Sequence, residues 1–386
     1  MPPRHLYIHV PFCARRCSYC DFAIAVRSKT PVDKYVATLG KELGTLGDRF
    51  RLATLETVYL GGGTPSRLGG HGVADVLNLV RTTSAIAGDA EITIEANPDD
   101  VHDVTVEQWA RAGVNRVSLG AQSFDDGVLR WMHRTHDADQ ISEAVETLRR
   151  GGISNISMDL IFALPADLSR DWKRDVERAI ALEPMHISLY GLTIESNTPL
   201  ARWHDRGKIV QGTEEKYEEE FLLAHQLATD AGFEHYEVSN FAQPSYISRH
   251  NSAYWSGAEY VGVGPSAHSY DGAARRWNVS AYSEWVRCLD HGQSVIAGEE
   301  VLTASNRQAE EVYLGLRTAN GLEIGEIEED AVQKWIEAGW ATLEQQRLKL
   351  TPLGWLRLDS LAADITARRA NAVGPGVRAT PSHSYI

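Results

Sequence analysis

Six short apolar runs recur through the first half of the chain: "LYIHVPF" (6–12), "TVYLGGG" (57–63), "EITIEAN" (91–97), "RVSLGAQ" (116–122), "NISMDLI" (155–161) and "HISLYGLT" (186–193). Each is rich in β-branched or aliphatic residues and has the length of a buried strand. Most spacers between them show helical periodicity, as in "DVLNLVRTTSAI", "VTVEQWARAG" and "QISEAVETLRRGG". The last two close on glycine, the usual helix stop. Strands alternating with helices pair in parallel, and near-continuous apolar runs are covered on both faces. All six runs finish in polar or glycine positions, namely Cys13, Gly61 to Gly63, Glu95, Gln122, Asp159 and Tyr190. Parallel strands curved into a barrel gather such ends on one rim. The expectation is a partial (β/α)6 barrel, an α/β fold, over residues 1–235.

After about residue 200 the alternation fades into a Glu-rich helix, "GTEEKYEEEFLLAHQLATDAGF", whose charges read as a solvated face. Residues 236–299 are dense in aromatics and histidines and read as a connecting segment. From 300 to 366, two helical patterns precede "WATLEQQRLKLTPLGWLRL", a hairpin leading into a helix. That order suggests a smaller α+β winged-helix-like C-terminal domain. Residues 367–386 carry no apolar pattern and read as a disordered tail.

Winged helices often bind DNA, but charge speaks against it here. Lys and Arg number 38 against 52 Asp and Glu, a formal charge of −14, and no basic stripe marks the C-terminal unit. No nucleic-acid partner is expected. Nor does any uninterrupted apolar run of about 18 residues suggest a membrane span, and the opening "MPPRHLYIHVPF" alternates like a strand rather than a leader. A cytoplasmic protein is expected.

Of four cysteines, Cys13, Cys17 and Cys20 lie inside eight positions, whereas Cys288 stands alone in a helical pattern and reads as a buried hydrophobe. A disulfide framework would leave a thiol of the cluster stranded. Structural zinc normally takes four ligands as two separated pairs; here His9 or Asp21 would have to complete the set. A [4Fe–4S] cube on three thiolates instead leaves one iron open to an exogenous chelator. Directly after the second strand, "GGGTPS" (61–66) lets a ligand approach the backbone without a Cβ in the way, but matches neither the Walker nor the dinucleotide pattern.

Cys-x3-Cys-x2-Cys at the end of a first barrel strand resembles the signature of the radical S-adenosylmethionine (SAM) superfamily, and the GGGTP spelling resembles its coproporphyrinogen dehydrogenase branch. The match in motif order runs from roughly residue 5 to 365. It implies that Cys13, Cys17 and Cys20 ligate a [4Fe–4S] cluster and that SAM chelates the open iron. Electron transfer then splits a C–S bond to give a 5′-deoxyadenosyl radical. The resemblance also implies a SAM pocket of Tyr7, Tyr19, Gly62, Gly63, Thr64, Glu95, Gln122, Arg134, Asp159 and Gly191, with Glu95 at a ribose hydroxyl. One departure is His133, where the family usually has glycine before the arginine.

Two branches share this outline. Oxygen-independent coproporphyrinogen III dehydrogenases of the HemN type extend the motif to a fourth cysteine, at the position of Phe22 here. Heme chaperones of the HemW type read "CxYCDF", as Cys17 to Phe22 do, and carry an HNxxYW string, here His250, Asn251, Tyr254 and Trp255. That resemblance implies heme binding and transfer to acceptor hemoproteins, by a protein peripheral at the inner face of the membrane and able to form a homodimer. It makes His250 a candidate axial ligand and His268, in "GVGPSAHSY", a second candidate facing SAM or heme. The alternative is oxidative decarboxylation of coproporphyrinogen III in heme biosynthesis. Whether SAM is cleaved stays open.

Overall fold

The computed structural model of the protein describes residues 2–46 and 52–373. Its centre is six parallel strands, β1 (His5–Val10), β2 (Leu55–Gly62), β3 (Ile86–Ala96), β4 (Arg116–Gln122), β5 (Asn155–Phe162) and β6 (His186–Gly191). They stand side by side in chain order. The six apolar runs are these strands, β3 alone starting well ahead of its run.

The crossovers are α1 (Val32–Leu46), α2 (Gly69–Thr83), α3 (Asp103–Ala112), α4 (Ala138–Arg150) and α5 (Trp172–Ala181). Their ends follow local chemistry. Gly113 stops α3 at φ +100°, and a capping box between Asp137 and Gln140 starts α4. In α4, Ile141, Ala144, Val145 and Leu148 are buried while Glu143 and Glu146 are exposed, the spacing of a helix laid on a sheet.

An open six-stranded unit leaves two unpaired edges, and the chain covers both. After α6 (Glu214–Asp230), β7 (Glu234–Glu237) and β8 (Asn240–Ala242) add antiparallel strands beyond β6. Following α7 (Arg249–Trp255), β9 (Tyr260–Val263) pairs in parallel with β1 and continues into β10 (His268–Tyr270), β11 (Ala274–Asn278) and, past α8 (Tyr282–Asp290), β12 (Ile296–Val301). Residues 236–299 are thus built into one 12-stranded sheet rather than forming a connecting segment. Cys288 is buried on α8, where it was expected to pack as a hydrophobe.

Three barrel strands end in left-handed backbone, at Gly62 (φ +111°), Gln122 (+69°) and Ala163 (+56°). For the two residues with a Cβ this costs about 1–2 kcal/mol each. The sharp exits turn the following loops across the barrel mouth, where the functional groups gather.

The C-terminal unit runs α9 (Ala304–Arg317), β13 (Leu322–Glu323), α10 (Glu329–Glu337), β14 (Ala341–Glu344), β15 (Arg347–Leu350) and α11 (Leu358–Val373). Its antiparallel sheet has the order β13-β15-β14, the winged-helix-like arrangement expected. Gln345 and Gln346 both take positive φ in the hairpin turn, whose twist suits the strands. Helix α11 continues to Val373, so the chain from 367 to 373 is helical and not a tail; once Leu361, Ala362 and Ile365 anchor the helix, each further residue adds a bond at little cost. The rest of the expected tail, 374–386, lies outside the described residues. Among the described residues no helix is long and apolar enough to cross a membrane.

Candidate functional site

Cys13 ends a two-residue strand, Phe12–Cys13, that pairs with Ala25–Val26 and pinches the cysteine loop at its base. The loop is stitched to two neighbours: the Ser18 N–H donates to Met132 O at 3.2 Å, and the Leu200 N–H to Ser18 O at 2.8 Å. All three thiols are free and partly exposed. Cys13 Sγ lies 3.4 Å from Thr64 Oγ1, and Arg134 donates to Cys17 Sγ at 3.6 Å. Burial pushes the Cys20 thiol up to about 12, and the other two sulfurs reinforce this. Burial raises the Cys13 thiol as well, against the Thr64 contact. The thiols therefore feel one another, yet among the described residues no three His, Cys, Asp or Glu side chains are grouped to hold a single metal ion.

His9, one suggested fourth ligand, is already committed. Its Nε2 lies 3.0 Å from Ala23 O and its Nδ1 3.1 Å from Tyr7 Oη. Burial brings its pKa down to about 4, so the ring is neutral, Nε2–H donates to the carbonyl and Nδ1 accepts from the tyrosine. Asp21, the other suggestion, is exposed.

The glycine run packs against β1. A Cβ on Gly62 would sit 2.5 Å from the His9 ring, and one on Gly63 would sit 2.7 Å from the Pro11 carbonyl carbon. Glu95, reaching over from β3, accepts from the Gly62 N–H and from Tyr59 Oη, each at 2.9 Å. Burial pushes its carboxyl up to about 7, against the pull of the tyrosine bond. One layer over, Ser118 Oγ donates to Asp159 at 3.1 and 3.0 Å, and burial raises that carboxyl to about 6. Strand register explains this grouping: Glu95 stands beside Ser118, and Asp159 beside Ser188.

Arg134 ties the loop to the barrel, donating to Asn97 Oδ1 at 2.6 Å and Gly120 O at 2.8 Å as well as to Cys17. Its Nε is buried without a partner. Burial disfavours its charge, but Tyr19 and Cys17 more than offset this and raise its pKa. Burial likewise raises the Tyr19 phenol. Gln122 shares the space over Gly120 with Arg134, since a Cβ there would lie 2.9 Å from Gln122 Nε2 and 3.1 Å from Arg134 Nη2. Gly191, at the end of β6, is closed in by the Tyr217 ring, 2.5 Å from where its Cβ would be. The cysteines, Tyr7, Tyr19, Gly62, Gly63, Thr64, Glu95, Gln122 and Arg134 are thus linked around the rim, with Asp159 and Gly191 on the next strands.

His250 packs against two tyrosines of this layer, Tyr7 at 6.4 Å and Tyr59. It sits on α7, 1% exposed, against the amino-terminal end of β2. Nδ1 lies 2.7 Å from Thr57 Oγ1 and Nε2 2.9 Å from Tyr254 Oη, while its backbone N–H donates to Glu91. The ring stacks on Tyr59 at 5.0 Å, and burial lowers its pKa to about 3. In this arrangement both His250 ring nitrogens are bonded and the side chain is buried. The spacing of HNxxYW cannot reveal which face of so short a helix turns inward. The string fastens the barrel base to the C-terminal unit instead: the Arg317 guanidinium of α9 lies 4.1 Å from the Trp255 ring and pairs with buried Glu237. His268 is exposed on β10, stacked on Trp277 at 6.0 Å.

Sequence reasoning missed Tyr59, Asn97 and Ser118, the groups that hold Glu95, Arg134 and Asp159. A period of two was the available signal, because Tyr59 precedes Gly61 on β2 by two positions, and Asn97 follows Glu95 by two at the exit of β3.

Residues 7–179 match the family described as Radical SAM superfamily. The chain is 34% identical over 369 residues to the Mycobacterium tuberculosis protein named heme chaperone HemW, covering 93% of this chain and 94% of the relative. It is 37% identical over 269 residues to the Escherichia coli heme chaperone HemW, covering 69% and 70%. Among solved structures, E. coli coproporphyrinogen III oxidase (HemN), a radical SAM enzyme, aligns with a TM-score of 0.79 at 21% identity over 94% of this chain and 89% of that one, a likeness of fold.

Proposed function

This chain belongs to the HemW family of radical SAM proteins, and from that membership we propose that it is a heme carrier. In this reading Cys13, Cys17 and Cys20 hold a [4Fe–4S] cluster, SAM completes it, and heme passes to acceptor hemoproteins in the cytoplasm. The observation that carries the choice is position 22. The dehydrogenases of the branch place a fourth cysteine there; here Phe22 stands 60% exposed.

The residues present fit the cofactors. Three free thiols that do not converge on one ion suit a body larger than an ion, and the crowded glycine edge leaves only backbone facing the loop. When bound, the cluster supplies an electron to SAM at an iron without a protein ligand. Arg134 donates to the Cys17 sulfur and Thr64 Oγ1 lies 3.4 Å from that of Cys13, a hydroxyl able to donate to a thiolate; both lower the cost of holding the sulfurs ionised. Glu95 fixes the Gly62 amide, and its oxygens keep lone pairs for a hydroxyl donor. Asp159, half-buried among serines, closes the polar layer beneath. Buried polar groups of this kind keep their geometry only while every partner is in place.

The test is an anaerobic incubation of cluster-loaded protein with SAM, a reductant and coproporphyrinogen III. No decarboxylation there, together with heme binding when the same protein is titrated with heme, supports the carrier; sustained formation of protoporphyrinogen would replace it with the dehydrogenase reading.

A further inference from the structure

Arg116 opens β4 and is 1% exposed. Its guanidinium makes no hydrogen bond and no ion pair with a described residue, and its Nε is buried without a partner. The neighbours in its register row leave it so: Thr93 on β3 and Asn155 on β5 each keep a buried side-chain oxygen unbonded. Arg170, whose side chain is 2% exposed, is by contrast paired with Glu220 at 2.9 Å and reaches Asp175 at 3.8 Å. A charge held out of water without a partner is costly unless other charges answer it at longer range.

Two such charges are at hand. Ser118, two residues along the same face of β4, stands beside Glu95 and donates to Asp159 at 3.1 and 3.0 Å. The guanidinium thus lies one pleat below both carboxyls and touches neither. Burial raises the two acids, Glu95 to about 7 and Asp159 to about 6; the Asp159 charge raises Glu95 further, and Arg116 lowers both. The other titratable groups facing these three are neutral or spent. Burial raises the phenols of Tyr7, Tyr59, Tyr190, Tyr236 and Tyr254. It lowers the His186 and His250 rings. Glu91 accepts the Arg249 and His250 N–H groups, and Glu237 pairs with Arg317.

We infer that Arg116 is a positioning residue for SAM, a buried counter-charge that lets Glu95 and Asp159 stand ionised together and so leaves the layer one negative charge to meet the sulfonium. This rests on the reading that SAM binds here and adds the group that sets the charge of its pocket. A guanidinium in contact with one acid would serve that acid alone; held apart from both, it acts on the two through the low-dielectric interior. Without it the carboxyls repel each other, and one keeps its proton to a higher pH.

The experiment is anaerobic equilibrium dialysis of SAM, and of S-adenosylhomocysteine with its uncharged sulfur, against cluster-loaded full-length wild type and Arg116→Met. The cluster is kept oxidised so that SAM stays intact. At pH 6.5 the variant should bind SAM about tenfold more weakly than wild type, and at pH 9 within about twofold, the gap closing as both carboxyls lose their protons. Its affinity for S-adenosylhomocysteine should stay within about twofold of wild type at both pH values. Equal losses for the two ligands at both pH values, or an unchanged SAM affinity at pH 6.5, overturn the inference and leave the SAM reading intact. Should Arg116→Met not fold, Arg116→Lys takes its place: a cation at that position should preserve the wild-type ratio of the two affinities, and a lost preference for SAM at pH 6.5 overturns the inference. If wild type binds neither ligand, the SAM reading fails first.

Discussion

Arg134 Nη1 lies 3.6 Å from Cys17 Sγ while its Nη2 holds Asn97 Oδ1 and Gly120 O. One guanidinium thus ties the cysteine loop to the ends of two barrel strands. Lysine has a single ammonium and no fork to span those acceptors. Arg134→Lys should therefore fold but release its cluster faster, read as decay of absorbance near 400 nm on exposure to air. Decay at the wild-type rate would remove Arg134 from cluster retention.

His250 joins α7 to Thr57 and Tyr254 deep against the barrel base. Replacing it with alanine leaves a cavity and strands both hydroxyls, at a cost of about 2–4 kcal/mol. Chemical denaturation of His250→Ala should show that loss, with an unchanged heme spectrum in the folded fraction. A stable variant with an altered spectrum would return His250 to the heme.

Glu95 sets a pH dependence. Its folded pKa, about 7 against 4.5 for the free group, is raised chiefly by burial. Between those values the native state holds a proton that the unfolded chain has lost. Stability contributed by the neutral acid is therefore complete below about 4.5 and is lost as pH rises through 7. Glu95→Gln does not titrate. The melting temperature of the variant minus that of wild type should grow from pH 5 to pH 8, by on the order of a few °C. A difference independent of pH would mean that Glu95 is ionised throughout.

The three thiols should act as a set. After anaerobic reconstitution, wild type should carry about four iron and four sulfide per chain. Alanine at Cys13, Cys17 or Cys20 should each abolish that content, and Cys288→Ala, altering a buried position on α8, should not. One zinc and no sulfide would revive the structural-metal alternative.

The barrel was legible because its strands are buried on both faces and written as apolar runs, and the thiols because three cysteines in eight positions admit few chemistries. What stayed hidden was set by tertiary packing. Residues 236–299 lack long apolar runs because their strands are short, and the two pairings that join them to the barrel, β8 with β6 and β9 with β1, are to partners far away in sequence. His250 shows the limit most clearly: it sits in a motif, but its burial and its bonds to Thr57 and Tyr254 appear only in the fold. Burial and backbone strain are not written in spacing.

A heme carrier must both bind heme and give it up. The direct measurement loads cluster-replete protein with one equivalent of heme, adds an apo b-type hemoprotein, and follows the acceptor's Soret band. Transfer should be stoichiometric, with the donor spectrum vanishing as the acceptor's appears. Heme that never binds, or that stays on the donor whatever the acceptor concentration, would contradict it.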